Sequence, residues 1–456
     1  MSARTFAGVS MTRLIQGLLI LLVAAPFPAG GKSARALRRP ATNRHAVVSP
    51  ILFSVQFSQA STSLSSDHQD GNKRKQDLDN CRSHEVKSLP GSHEFASDFI
   101  ETIATDPDPR GRNRSAVWAL TADLSSDVPP DERAMYISKS INGGGTWTEV
   151  ARIDSRFFDA EIGEGLRNGL SVYPGGTEFV ISTQRGAFQV LPQSDASKPI
   201  VKSIVGPRVP PVQLRPRVSI PKVEGDPVRA NIVEITPDGQ RLIVGYGYFD
   251  LAPQIFSYHR GRNGSWIQDG QITPLPTDLD LLSMQLENSK TLRPASLYIG
   301  TGDQAYRYDF RTKQWTRIDG VGEDSAIHSM TLVGGLHLAA CWGVYNPAGK
   351  DAVERVTDAR FLLHRAKDET GPEVRAYSIE VDPSRTNRVI ITALTGVYTS
   401  GDSGKTWKRL NDLPDGEFRT AHFNRDGTVI ISGVTGTFLA NPFSSACSLH
   451  LRTRGN

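Results

Sequence analysis

From about residue 95 onward the chain alternates short runs of β-branched and aromatic residues with tight polar turns. Runs at 116–120, 178–182, 241–245, 296–300, 389–393 and 428–432 are apolar, four to six residues long, and bounded by turn formers, so they predict strands. Pro174-Gly175-Gly176, Pro237-Asp238-Gly239-Gln240 and Arg425-Asp426-Gly427 are turn sequences with a mechanism: proline presets φ, aspartate accepts from the following amides, and glycine accepts a positive φ. No long stretch keeps a 3.6-residue apolar period, so helices should be scarce and the fold class is all-β. Residues 37–94 differ. Ser61-Thr62-Ser63-Leu64-Ser65-Ser66 and Lys73-Arg74-Lys75 give them the texture of a mobile polar leader, with a strand candidate at 51–57.

A longer repeat organises the strands. Ser400-Gly401-Asp402-Ser403-Gly404-Lys405-Thr406-Trp407 matches S-x-D-x-G-x-T-W at every defined position, and Ser140-Ile141-Asn142-Gly143-Gly144-Gly145-Thr146-Trp147 matches with Asn for Asp. Each follows a strand tyrosine (Tyr398, Tyr136) and, further upstream, an Asp-Pro turn and an apolar run. Weaker copies end at Trp266 and Trp315. These two lie 49 residues apart, and Trp315 to Trp407 spans two steps of 46. A period in the forties is one four-stranded propeller blade, and the strand pairs between the tryptophans bring the number to about seven. The interval from Trp147 to Trp266 is too long for two blades. Its surplus falls at 206–229, rich in proline and in cations (Arg208, Arg215, Arg217, Lys222, Arg229), which reads as an inserted loop and a candidate binding element.

The eight-residue box explains itself as turn chemistry. A short side-chain oxygen at Asp402 or Asn142 accepts amide hydrogen bonds inside the hairpin joining a blade's outer strands. Gly404 and Gly144 permit a positive φ, and Trp407 and Trp147 cover the turn. The chain thus resembles the Asp-box, or BNR-repeat, β-propeller superfamily, which includes exo-sialidases, sortilin-type receptors and photosystem II stability factors. That resemblance implies about seven four-stranded blades over 95–447 and a sialidase- or sortilin-like fold. It names no activity, because one fold hosts many. The sialidase branch would carry a Phe/Tyr-Arg-Ile-Pro motif, which this sequence lacks; Arg217-Val218-Ser219-Ile220-Pro221 has the arginine at the wrong spacing.

Charge and cysteines narrow the function classes. With 52 basic and 48 acidic residues the net charge is +4, which offers no nucleic-acid footprint. Arg4 and Arg13 precede an apolar run at 14–25, too short for a membrane span, so residues 1–36 read as a signal peptide and the protein as secreted or periplasmic, with no stable membrane span after cleavage. Of three cysteines, Cys81 and Cys447 bracket the repeats and are candidates for one disulfide in an oxidising compartment; Cys341, in an apolar run, reads as a small buried hydrophobe. The last blade shows three clear strands, so a segment before residue 95 is expected to supply its fourth, leaving 448–456 as a tail. The ten histidines show no metal spacing, and no metal or cofactor is implied. His328 and His337 read as core or edge residues. Arg293 and Arg375 read as surface ion-pair partners, and Glu161, Glu164, Asp303, Glu323 and Asp324 as solvated turn carboxylates. The leading reading is an exported propeller that binds a protein or glycan. The alternative is a glycoside hydrolase, which would need two carboxylates converging at the channel mouth. Catalytic residues, partner identity and oligomeric state are not legible.

Overall fold

The computed structural model describes residues 84–85, 100–106, 116–122, 128–129, 131–158, 169–208, 226–247, 253–272, 275, 277, 279–287, 294–322, 325–341, 343–356 and 376–443. Contacts divide the chain into units 1–65 and 66–456, and every described residue belongs to the second.

Among the described residues the strands form seven four-stranded antiparallel sheets, and the helical content is one short 3-10 turn at Ser155–Phe157. Six sheets are meanders of four consecutive strands. Their first strands are Ile100–Thr105, Leu170–Val172, Ala230–Ile235, Leu281–Leu286, Ile327–Thr331 and Ala376–Val381, which open blades 1 to 6 in that order. Blade 7 contributes Phe418–Phe423, Val429–Gly433 and Gly436–Ala440, and its fourth strand is His84–Glu85, paired as His84↔Leu439 and Glu85↔Phe438. The first strands contact one another in sequence, and Phe418–Phe423 returns to Ile100–Thr105. The protein is a closed seven-bladed β-propeller around an axial channel.

Burial explains which strands were legible. Second strands such as Phe179–Thr183, Val389–Ala393 and Val429–Gly433 are buried at every residue, because each blade is covered on both sheet faces by its neighbours. The core therefore consists of clusters between adjacent blades. One of them seals the ring, with Ile100, Val117, Ala119 and Trp147 of blade 1 packed against Ile430 of blade 7.

The first strands share two further features. In six of them the register shifts after the first residue, leaving Glu101, Asn231, Leu282, His328, Tyr377 and Arg419 at a bulge that re-aims their side chains. Serines next to several of these bulges tie one blade to the next. The Ile379 and Ala421 amides donate to Ser329 and Ser378 Oγ at 3.3 Å, and Ser283 Oγ donates to the Ile327 carbonyl at 2.9 Å.

Strand direction then fixes two faces. First strands begin on one face, which also carries the second-to-third turns and the links between blades; it is called the mouth face below. The opposite face carries the first-to-second and third-to-fourth turns. The Asp-box sequences and the 206–229 link consequently emerge on opposite faces.

Candidate functional site

Both boxes form the same network. Ser140 Oγ donates to Asn142 Oδ1 at 2.9 Å and accepts the Gly144 amide at 2.8 Å, while the Thr146 amide donates to Asn142 Oδ1 at 2.9 Å. Ser400 Oγ donates to Asp402 Oδ1 at 2.7 Å and accepts the Gly404 amide at 2.8 Å, and the Thr406 amide and hydroxyl donate to the Asp402 carboxylate at 2.8 and 2.6 Å. Burial pushes the Asp402 carboxyl up, but the hydrogen bonds from Thr406 and Ser400 outweigh it and hold the group below its ordinary value. Trp407 Nε1 caps the turn by donating to the Gly404 carbonyl at 2.9 Å.

The turns do more than close a hairpin. They dock on the preceding blade. Asn424 of blade 7 donates from Nδ2 to the Gly143 carbonyl of blade 1 at 2.7 Å, and a Cβ on Gly144 would lie 2.8 Å from Ile430. In blade 6, a Cβ on Gly404 would lie 2.6 Å from Asn346 Oδ1 of blade 5. Turns without a box dock in the same way. Gln189 of blade 2 donates to the Gly264 carbonyl of blade 3 at 2.9 Å, beside an Arg260–Glu178 ion pair in which both guanidinium nitrogens reach the carboxylate. Arg307 of blade 4 holds Asp351 of blade 5 through Nε and through Nη2 at 2.9 Å. These contacts occupy the box residues with blade-to-blade packing, on the face away from the channel mouth.

The mouth face gathers a different set. The bulged residues His328, Tyr377 and Arg419 come from three consecutive blades. The His328 and Tyr377 rings stand 6.1 Å apart, and the Arg419 guanidinium lies 5.4 Å from the centre of the buried Tyr377 ring, its Nε held by Glu417. His328 Nε2 is 3.0 Å from the Cys341 sulfur in the second-to-third turn of blade 5. Exposed apolar side chains mark turns and links of the same face, Val205, Leu279, Leu394 and Val434 at 71%, 41%, 37% and 40% exposure, while Ile141, Ile200 and Ile267 are exposed toward the opposite face. The Val434 amide donates to the Glu417 carbonyl at 3.0 Å, which fixes one of these side chains next to the Arg419–Glu417 pair.

Deeper in the channel a second level of inner-strand residues is uncharged at neutral pH. Glu234, Gln285, Glu380 and His422 hold equivalent register positions, opposite Ile243, Tyr298, Ile390 and Ile430 of their second strands. Burial pushes Glu234 and Glu380 up to about 8 and His422 down to about 4. Both acids therefore keep their protons and the imidazole stays neutral. Among the described residues no group of three His, Cys, Asp or Glu side chains is placed to hold a metal ion.

The other candidates fall as follows. Arg208 is exposed at the stem of the inserted link, where it bridges to Pro227 and the Val228 amide donates to the Pro207 carbonyl. Arg229 is buried at 6% exposure, so its side chain is not offered to solvent. Arg215, Arg217 and Lys222 lie outside the described residues, as do Arg293, Arg375, Glu161, Glu164, Glu323 and Asp324, the strand candidate at 51–57, and the cysteine pair Cys81 and Cys447. Asp303 accepts from Thr301 Oγ1 at 2.7 Å within its turn. His337 is a core histidine, with burial lowering its pKa and Nδ1 3.3 Å from Asn346 Oδ1. His328 is half-buried at a bulge near the strand end, the edge position its reading allowed, whereas Cys341 is half-buried in a turn and differs from its reading as a small buried hydrophobe. The sequence signal of the cluster is periodic: His328, Tyr377 and Arg419 recur at the second position of successive first strands.

No protein-family model matches the chain, and no curated protein matches it. Solved structures do. An extracellular domain from B. thetaiotaomicron is similar at 11% identity and a TM-score of 0.48, over 79% of this chain and 40% of that one. YCF48 from Cyanidioschyzon merolae is similar at 13% identity and a TM-score of 0.47, covering 78% and 98% of the two chains. The WD40 β-propeller domain of Doa1 is similar at 9% identity and a TM-score of 0.44, covering 79% and 96%. This chain thus spans less than half the length of the B. thetaiotaomicron domain.

Proposed function

We propose that this protein is an exported binding propeller that captures a protein segment on its mouth face. The observation that carries this reading is that the face with the Tyr377, Arg419 and His328 cluster also carries exposed Leu394 and Val434 in the second-to-third turns of blades 6 and 7, and exposed Val205 and Leu279 in its links. Exposed apolar side chains on one face with an aromatic ring and an arginine are the composition of a protein-binding hot spot. The described stem of the 206–229 insertion, where Arg208 is exposed, opens on the same face, and the basic sequence of the insertion (Arg208, Arg215, Arg217, Lys222) would favour an acidic partner. A propeller of this kind is known with a peptide bound, YCF48 with the D1 peptide, which is similar to this chain at 12% identity and a TM-score of 0.46 over 79% of it and 96% of that chain. The Asp-box residues Ser140, Asn142, Gly144, Thr146, Trp147 and their counterparts from Ser400 to Trp407 serve the fold in this reading.

The glycosidase alternative is weaker on chemical grounds. It needs one ionised carboxylate as nucleophile or base and one protonated acid. Glu234 and Glu380, the inner-strand carboxyls with raised pKa values, both hold their protons at pH 7. The test is selection of a displayed peptide library on the full chain, alongside a glycan array and a glycoside panel. Peptides that bind the wild-type chain and lose binding to Leu394→Asp and Val434→Asp support the reading. Peptides that bind these variants equally well, glycan binding alone, or glycoside turnover would overturn it.

A further inference from the structure

His328 and Cys341 are brought together by strand register. Ile327 pairs with Ala340 in the first two strands of blade 5, and the Cys341 amide donates to the Ala326 carbonyl at 3.1 Å, so residue 341 stands opposite 326, diagonally across the strand pair from His328. The bulge at His328 turns its ring toward the turn, where Nε2 lies 3.0 Å from Cys341 Sγ. Two residues on, the missing side chain of Gly343 makes room for a guanidinium: a Cβ there would lie 2.9 Å from Arg355 Nε. Cys341 is half-buried, in the second-to-third turn of blade 5 on the mouth face.

An imidazole in hydrogen-bond contact with a thiol, with an arginine packed beside the turn, favours transfer of the proton from sulfur to nitrogen. We propose that Cys341 and His328 form a thiolate–imidazolium pair and a modification site for small disulfides at the mouth of the channel. The thiolate attacks one sulfur of R–S–S–R and forms Cys341–S–S–R. The original S–S bond breaks, and RS⁻ leaves with the electron pair and takes the proton from His328. The disulfide is the oxidant, and one thiol is released for each cysteine capped. The site does not depend on which partner docks on the mouth face.

The experiment uses the full chain without any partner. Alkylation of the Cys341-containing peptide by iodoacetamide is followed by mass spectrometry between pH 5 and 9, and a parallel sample receives oxidised glutathione. An ordinary thiol ionises near pH 8.5 and is about 3% thiolate at pH 7. The pair predicts a rate profile whose midpoint lies below about pH 7 and a glutathione adduct on Cys341. His328→Gln should move that midpoint back toward about 8.5 and slow the reaction at pH 6 by roughly tenfold or more. A wild-type midpoint at or above the ordinary value, no glutathione adduct, or an unchanged profile in a folded His328→Gln chain would each overturn the proposal. Should that variant fail to fold, the wild-type profile decides.

Discussion

Replacing Gly144 with alanine tests whether the box is a wedge between blades or a local turn alone. Its φ of +93° lies in the left-handed region, where an alanine costs roughly 1–2 kcal/mol. The added methyl would also sit 2.8 Å from both Cδ1 and Cγ1 of Ile430, a fully buried residue of blade 7. Overpacking of that kind costs about 1–3 kcal/mol, for a total of about 2–5 kcal/mol. Gly401, in the other box, is the internal control, since a Cβ there meets nothing within 4 Å and its φ is not in the left-handed region. Gly401→Ala should be neutral or stabilising by about 0.4–1 kcal/mol through the unfolded chain. With a urea m-value of about 3 kcal/mol/M, Gly144→Ala lowers the unfolding midpoint by roughly 0.7–1.7 M while Gly401→Ala leaves it in place or raises it. Equal midpoints for the two variants would refute the wedge.

Removing Glu178 should cost about 3 kcal/mol in a urea titration, because it strands the Arg260 guanidinium between blades 2 and 3, and Glu178→Ala/Arg260→Ala should recover part of that loss. The channel acids set a pH dependence. Glu234 and Glu380 hold protons up to about pH 8 when folded and release them near pH 4.5 when unfolded, so stability falls as pH rises through that window. His422 acts oppositely between about pH 4 and 6.5, where only the unfolded chain binds its proton, and offsets one glutamate there. The net fall therefore concentrates between pH 6.5 and 8. Urea midpoints across that range should lose their slope in Glu234→Gln/Glu380→Gln, and a retained slope would contradict the assignment. For Cys81 and Cys447, the sequence expectation is one disulfide in the exported chain; non-reducing peptide mapping should recover them as a linked pair, and two unlinked peptides would end that expectation.

The sequence displayed the second strands most clearly. Six of the seven are the runs read from apolar residues, within two residues at either end, because blade-on-blade packing makes both of their faces apolar. The seventh, His337–Ala340, hid behind a buried histidine and a run that continued into Cys341. First strands were harder to read. They spend side chains on the channel and on serine bridges between blades, so Thr102, Ser329, Glu234 and His422 break the apolar pattern. The box turns were legible from eight residues, since their hydrogen bonds are local, whereas their docking on Asn424 and Asn346 was not, since the partners lie in another blade. The mouth cluster had the weakest signal of all. It joins residues from three blades, and a bulge decides where each one points.

The central claim is that partners are taken on the mouth face and not on the face of the Asp-box turns. A photo-cross-linking residue placed at Leu394 or Val434 on the mouth face, and at Ile141 on the opposite face, tests it with a peptide selected on the wild-type chain. All three positions are exposed and apolar, so the comparison turns on location. Capture on the mouth face predicts saturable adducts from positions 394 and 434 and none from 141. Adducts from 141 alone, or equal adducts from both faces, would contradict it.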